Sequence, residues 1–145
     1  MVPPVRALSS ETLGAWLVKA SGGLTSTQAH LRAGFAEART WCVRPTYRTE
    51  LVAPGQRLLL WVSGWSADHP PGIWAHGRTT GVAADGVMPV ELTALAQPLL
   101  RSELVGDAAL SAMEVLRMPA GSNPSYVTPA QLAVLERMSP ELRRR

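Results

Sequence analysis

One segment of the sequence constrains the fold more than any other, the run of five apolar residues from Leu58 to Val62. It is long enough for a β-strand and far too short for a helix that crosses a membrane. Pro54 and Gly55 precede it, and this pair is typical of a turn. The pattern predicts a strand over residues 57–63. Its side chains would alternate between two faces, with Leu58, Leu60 and Val62 on one and Leu59, Trp61 and Ser63 on the other.

Shorter segments predict further strands over residues 15–20, 39–44, 73–79 and 87–92. The first of these is apolar and lies between Gly14 and Gly22. The second ends at Pro45, which has no amide hydrogen to donate to a central strand. Residues 64–72, rich in proline and glycine toward their end, are expected to form a loop.

The first predicted helix covers residues 26–38. Thr25 and Gln28 have the spacing of a capping box, and Leu24 is placed for the hydrophobic contact that accompanies it. Gly34, inside this helix, disfavours it by about 1 kcal/mol relative to alanine.

The clearest helix start in the chain is at Thr128, with Pro129 at the first helical position and Gln131 at the third. We expect this helix to end near Met138. Weaker helical patterns cover residues 102–105 and 107–113.

Five or six strands with helices near both ends of the chain predict an α+β fold, a mixed β-barrel of five to six strands flanked by helices. A length of 145 residues suits one domain, which we expect at 14–138, after a lead-in at 1–13 and before a basic tail at 139–145. No secretion signal is recognisable, and the single cysteine, Cys42, cannot form an intrachain disulfide. We therefore expect a reducing, cytoplasmic location without membrane contact.

The charges are distributed unevenly along the chain. Residues 1–60 carry seven Lys and Arg against three Glu, whereas residues 61–142 carry four against eight acidic residues. A cationic first half suits an anionic ligand, and a mixed solvated surface explains the same pattern equally well. The composition, with one Lys and much Ala, resembles that of a protein from a GC-rich bacterial genome.

Five segments resemble, in the same order, those of the EVE family of PUA-like domains, which is related to the YTH readers of methylated adenosine. They are Trp16–Ser21 (WLVKAS), Trp41–Arg44 (WCVR), Pro54–Ser63 (PGQRLLLWVS), Pro71–Gly77 (PGIWAHG) and Gly121–Thr128 (GSNPSYVT). The resemblance runs from about residue 14 to residue 138. It implies a PUA-like barrel that binds nucleic acid, catalyses no reaction and holds a base, which we expect to be modified, in a pocket.

Two positions depart from the family pattern. Pro45 stands where the family commonly has an asparagine that touches the base, and glycines 22 and 23 replace an acidic residue after the first strand. Proline offers no amide donor, so base identity would be read by Tyr47 or Arg48, or by Asn123 as a substitute for the missing asparagine.

Tryptophan is the main indication of the pocket. All five lie between positions 16 and 74, and a base stacked on an aromatic ring gains roughly 1–3 kcal/mol. The resemblance places Trp41 where related readers stack the base, whereas Trp16 lies in an apolar run typical of a core. Trp61 and Trp74 suit core and pocket equally, and Trp65 suits a lid or a partner contact. The predicted pocket comprises Lys19, Ala20, Ser21, Gly22, Trp41, Cys42, Trp61, Ser63, Trp65, Trp74 and Asn123.

Four arginines interleaved with Trp41 and Tyr47 predict a path for backbone phosphates, although a solvated strand edge would have the same composition. They are Arg39, Arg44, Arg48 and Arg57. Lys19, the single lysine, is expected to face solvent or an anion in the cleft.

Catalysis has little support in the sequence. The histidines lack metal-ligand spacing, Ser63 lacks the glycines of a nucleophile elbow, and a pairing of Cys42 with His76 is less favoured than a packed cysteine. We therefore expect no enzyme, no metal and no cofactor. The expected partner is DNA or RNA with a modified base, single-stranded or flipped out, with a nuclease or restriction component as a further partner. The alternatives are a protein-interaction or accessory module that uses the tryptophans, and a sensor of a free nucleobase or nucleoside.

Overall fold

The computed structural model describes residues 8–64 and 68–143. Within these ranges the chain has a mixed α+β fold. Its strands are β1 (Ala15–Ser21), β2 (Thr40–Cys42), β3 (Arg57–Ser63), β4 (Gly72–Thr79), β5 (Val87–Leu100) and β6 (Ser125–Val127). Its α-helices are α1 (Thr25–Arg32), α2 (Arg101–Leu104), α3 (Glu114–Arg117) and α4 (Pro129–Met138), and 3-10 turns occupy Tyr47–Leu51, Leu110–Ala112 and Pro140–Arg143.

The strands of the described ranges form one curled, half-barrel sheet in the order β2-β5-β4-β3-β1-β6. β1 and β3 are parallel, from Trp16 opposite Leu58 to Ser21 opposite Ser63. All other neighbouring strands are antiparallel. The prediction of an α+β, barrel-like fold is confirmed at this level.

The sheet carries a hydrophobic core on each face. Side chains of β1 and β3 alternate between them, so that Trp16 and Leu58 lie in one and Leu17 and Leu59 in the other. The first core is completed by side chains that include Phe35, Val43, Val52, Met88, Val90 and Leu92. The second core is completed by the helical segments, through Leu104, Leu110, Met113, Val115, Leu132, Leu135 and Leu142. Burial of each large side chain contributes about 1.5–3 kcal/mol, so both cores stabilise the sheet.

The strand predictions are confirmed best in the middle of the sheet. β3 covers residues 57–63 as predicted, and β1 and β4 differ by one residue at one end. β2 is shorter than the predicted 39–44, because the chain then leaves β5 and the Arg44 N–H donates to the Asn123 carbonyl at 2.8 Å. β5 runs to Leu100, well beyond residue 92, because Leu95 and Leu99 pack in the second core.

The predicted helix 26–38 is wrong in its second half. α1 ends at Arg32, since Gly34 and Phe35 adopt left-handed φ angles of 63° and 61°. This turn places the Phe35 ring in the first core. The predicted capping box is also absent, because Gln28 donates instead to the Gly22 carbonyl at 2.6 Å.

The last helix is confirmed in its start, cap and end. Gln131 N donates to the Thr128 hydroxyl at 3.2 Å, and Thr128 N donates to the Gln131 side chain at 2.9 Å. The weaker helical patterns correspond to α2 and to the 3-10 turn at Leu110–Ala112, whereas α3 begins just after the second pattern and was not predicted. Leu8 and Leu142 are buried as well, so packing extends past residues 14–138 at both ends.

Among the helices of the described ranges, none combines the length and the apolar character required to cross a membrane.

Candidate functional site

The site begins at the exposed edge of β1. β6 pairs with β1 from Ala15 to Leu17 and no further. Beyond that point the side chain of Asn123 takes over, because it accepts a hydrogen bond from Lys19 N at 2.8 Å and donates one to the Lys19 carbonyl at 3.1 Å. A carboxamide has the donor and acceptor of a peptide group, and Asn123 therefore extends the sheet by one residue.

Trp41 of β2 reaches the same place from the opposite edge of the sheet. Its indole N–H donates to the Lys19 carbonyl at 3.3 Å. The Arg44 N–H, three residues later, donates to the Asn123 carbonyl at 2.8 Å. These contacts join β1, β2 and the segment before β6, and we call this junction the seam.

Packing contacts, in addition to the hydrogen bond of its N–H, hold the Trp41 ring in place. The side chain is half-buried and packs against the first core. The His30 ring lies 5.7 Å from it, centroid to centroid, at an angle of 42°. His30 itself stacks on Phe35 at 5.8 Å. The orientation of the indole is thus fixed by α1, β1 and the core together.

A cleft of roughly 460 Å³ lies beside the seam. This volume is within the range of ligand sites, about 300–1,000 Å³. Among the described residues, the Arg44 guanidinium at its wall makes no hydrogen bond or ion pair. The cleft is lined by Arg44, Pro45, Thr46, Tyr47, Arg48, Glu114, Met118, Gly121, Ser122, Asn123 and Pro124.

Arg48, predicted to contact phosphate, forms an internal ion pair instead. Its guanidinium donates to both Glu114 oxygens, at 2.6 and 2.7 Å, and lies 5.1 Å from the Tyr126 ring centroid. Burial alone would raise the pKa of Glu114, but hydrogen bonds from Arg48 and Ser125 outweigh it and hold this pKa below its usual value. Arg48 is therefore a structural residue of the cleft wall.

The Lys19 side chain is partly buried. Its ammonium group donates to the backbone carbonyls of Pro119, at 3.3 Å, and of Gly121. Partial burial lowers the pKa of Lys19, and the Glu114 charge offsets part of that shift.

The tryptophans are divided between the two cores. Trp16 is fully buried in the first core, as predicted. Trp61 is only 3% exposed and lies in the second core, on the opposite face of the sheet from Trp41. Trp61 is therefore a core residue and not a wall shared with Trp41. Trp74 is half-buried against the first core, and its indole donates to the Pro70 carbonyl at 2.9 Å. Trp65 lies outside the described residues.

The small residues of the predicted pocket lie at the ends of β1 and β3. The Gly22 N–H donates to the Ser63 carbonyl at 2.8 Å, and the Ser63 hydroxyl contacts the Ala20 carbonyl at 3.3 Å. Both groups are therefore used within the fold. Ser21 is exposed, and its N–H points toward the seam, as the Lys19 N–H does two residues earlier.

The remaining arginines and Cys42 are spread over the surface. Arg39 donates to the Ala36 carbonyl at 2.7 Å and borders a different groove. Arg57 lies on the second-core face, against the Leu142 carbonyl and near Glu136. Neither Arg39 nor Arg57 therefore forms a continuous phosphate path with Arg44. Cys42 is exposed beside Val87, and His76 pairs with Thr93, six residues further along β5, which separates the two by about 20 Å.

His30 and Glu114 were missed as residues of the site. His30 lies at helical spacing in α1, where sequence gives no sign of a ring stacked between Phe35 and Trp41. Glu114 meets Arg48 across 66 positions of sequence, a distance that local patterns do not span. Among the described residues, no three His, Cys, Asp or Glu side chains are grouped to hold a metal ion.

No model of a protein family matches the chain, and no curated protein matches it. Solved structures do resemble it. A hypothetical protein from Leishmania major has a TM-score of 0.70 at 17% identity, over 94% of this chain and 100% of that one. An NMR structure of a protein from Rhodopseudomonas palustris has a TM-score of 0.65 at 17% sequence identity, over 90% of this chain and 95% of that one. A crystal structure of a protein from Pseudomonas putida has a TM-score of 0.63 at 19% sequence identity, over 90% of this chain and 99% of that one. These similarities show that the fold is shared.

Proposed function

We propose that the chain is a nucleic-acid-binding module that holds a modified base against Trp41 at the seam, with the neighbouring cleft receiving the adjoining part of the ligand. The observation that carries the proposal is the setting of Trp41, a half-buried indole whose N–H is fixed on the Lys19 carbonyl. Trp41 does not itself line the cleft, whereas Asn123, which donates to the same carbonyl, does. Stacking on an aromatic ring is worth roughly 1–3 kcal/mol per base. A ring that is already oriented loses little further entropy when the base arrives.

We further propose that the fold is PUA-like and of the EVE type. Three of the segments that resemble this family meet at the seam: β1 supplies Lys19, β2 supplies Trp41, and the segment before β6 supplies Asn123. If the family shares a binding site, segments that are far apart in sequence should meet at that site, as these three do at the seam.

The preference for a modified base follows from the walls of the cleft. Pro45 and Met118 are apolar, and Met118 is exposed. An added methyl-sized group that meets apolar walls is worth roughly 1–3 kcal/mol. Because Trp41 is half-buried, we expect a base to reach its ring only from single-stranded DNA or RNA, or after flipping out of a duplex.

In this proposal Arg44 contacts the phosphate next to the bound base, and the exposed Ser21 N–H meets the base edge. The role is binding alone. A partner nuclease or restriction component would act on the recognised site.

The proposal is tested by titrating single-stranded DNA and RNA oligonucleotides with methylated, hydroxymethylated and plain bases at several salt concentrations. We expect one modified base to bind more tightly than its plain counterpart, with an affinity that falls as salt rises. Arg44→Ala should weaken binding to every oligonucleotide alike and reduce the salt slope by about one. Arg137→Ala, on the exposed face of α4, is the matched control and should leave the slope unchanged.

Failure of every oligonucleotide to bind at any salt concentration would contradict the proposal. Salt-independent binding of free nucleosides would instead support the nucleoside-sensor alternative, because counterions are released only when phosphates are contacted.

A further inference from the structure

A second groove, of roughly 620 Å³, lies on the second-core face of the sheet. Arg57 occupies this face because its β3 neighbour Leu58 points into the first core. The groove is also lined by the buried His76 and by Gly55, Gly77, Arg78, Glu91, Thr93, Glu141 and Arg143. It shares no lining residue with the cleft beside the seam.

Two cations face each other across neighbouring strands in this groove. Arg57 of β3 is directly opposite Arg78 of β4. Like charges at directly opposed positions destabilise a sheet. Arg143, in the 3-10 turn after α4, adds a third guanidinium to the same groove.

Three carboxylates lie near this cluster and equal it in number, but none of them pairs closely with an arginine. Glu136 lies 4.0 Å from Arg57 and 3.8 Å from Arg143, so one acid at the limit of contact serves both. Both Glu141 oxygens accept from the Ala96 N–H, at 2.9 and 3.0 Å. Glu91 is opposite Arg78 in register but exposed, and no described carboxylate lies within ion-pairing distance of Arg78.

We propose that this groove is an anion site, separate from the seam, in which Arg57, Arg78 and Arg143 bind a phosphate group. Guanidinium groups match the geometry of phosphate oxygens and retain several donors each. Arg57 uses one donor on the Leu142 carbonyl, which holds its guanidinium at the edge of the groove. The bound phosphate would remove the repulsion between Arg57 and Arg78.

The test is a series of thermal melts of the full chain in inorganic phosphate and in chloride at matched ionic strength. We expect phosphate to raise the melting temperature of the wild-type protein, because a ligand that binds only the folded state stabilises it. Arg78→Gln should need roughly tenfold more phosphate for the same rise, as expected when one charged hydrogen-bond donor is lost. Arg101→Gln, an exposed arginine of α2, is the matched control and should respond as the wild type does.

Without phosphate, Arg78→Gln should melt no lower than the wild type, because the substitution removes a like charge opposite Arg57. A lower melting temperature there, no response of the wild type to phosphate, or an unchanged response in Arg78→Gln would overturn the proposal. None of these results bears on the seam, which Arg78 does not contact.

A labelled oligonucleotide then identifies the source of the phosphate. If Arg78→Gln weakens oligonucleotide binding, the groove takes backbone phosphates. If Arg78→Gln weakens the stabilisation by inorganic phosphate but leaves oligonucleotide binding unchanged, the groove binds a small phosphate ester. Both results support an anion site.

Discussion

At the scale of single residues, the candidate site depends on Asn123, whose side chain makes two hydrogen bonds with the backbone of Lys19. Asn123→Ala should lower the free energy of unfolding by about 1–3 kcal/mol, because a partly buried donor and acceptor lose their partner. It should also weaken ligand binding, since the same backbone carbonyl orients Trp41. Ser122→Ala, at the exposed neighbour, is the control for stability alone, because Ser122 lines the cleft. Urea unfolding that gives both variants the same stability would contradict this role.

Glu114 gives the fold a predictable response to acid. Its pKa in the folded protein is below the usual 4.5, so its ionised form stabilises the fold. That contribution is complete above pH 4.5 and is lost as the pH falls through the lower, folded-state pKa. Glu114→Gln should therefore melt lower than the wild type at neutral pH, and the difference should shrink in acid. Glu37→Gln, at an exposed glutamate, should show no such convergence. A wild-type to Glu114→Gln difference that stays constant with pH would refute the assignment.

The identity of the site residues was only partly predictable. The run from Leu58 to Val62 shows that Leu59 and Trp61 share a face, but not which core covers that face. The family resemblance named Trp41 as a candidate, and its hydrogen bond to the Lys19 carbonyl places it at the seam. The ion pair of Arg48 with Glu114 was not, because it forms only when α3 packs beside the cleft.

At the scale of elements, sequence patterns predicted a helix correctly where the residues of the pattern bond each other. α4 begins at its capping box because Thr128 and Gln131 bond each other within one turn. α1 has the same kind of signal at its start, yet Gln28 donates to the nearby Gly22 carbonyl instead of capping the helix. The helix then ends early, and Phe35 packs in the first core. The length of β5 likewise follows from packing that alternation alone does not reveal.

The end of α1 yields a prediction that separates the observed turn from the predicted helix. Gly34 has a φ of 63°, where alanine is disfavoured by about 1–2 kcal/mol. Gly34→Ala should therefore destabilise the protein by that amount, whereas a helix through residue 38 would be stabilised. Gly23→Ala, with open space around the added Cβ, is the control. Thermal melts that show Gly34→Ala to be the more stable variant would contradict the observed turn.

At the scale of the whole molecule, the curled sheet carries a core on each face, and the cleft beside the seam and the groove on the second-core face share no lining residue. The α+β class and most strands could be predicted from alternation and turns. The contacts of the seam could not be predicted, because they join Lys19 to Asn123 across 104 positions of sequence and to Trp41 across 22. The candidate site is thus a product of the complete sheet and not of one motif.

The central claim is that Trp41 stacks on a modified base. Its most direct test is the affinity difference between a modified and a plain oligonucleotide, measured for the wild type, Trp41→Phe and Trp41→Ala, with a thermal melt of each. We predict that folded Trp41→Ala binds the modified oligonucleotide more weakly by about 1–3 kcal/mol and no longer discriminates. Trp41→Phe, which keeps a stacking ring, should retain most of the discrimination. A folded Trp41→Ala that binds and discriminates as well as the wild type would contradict the claim.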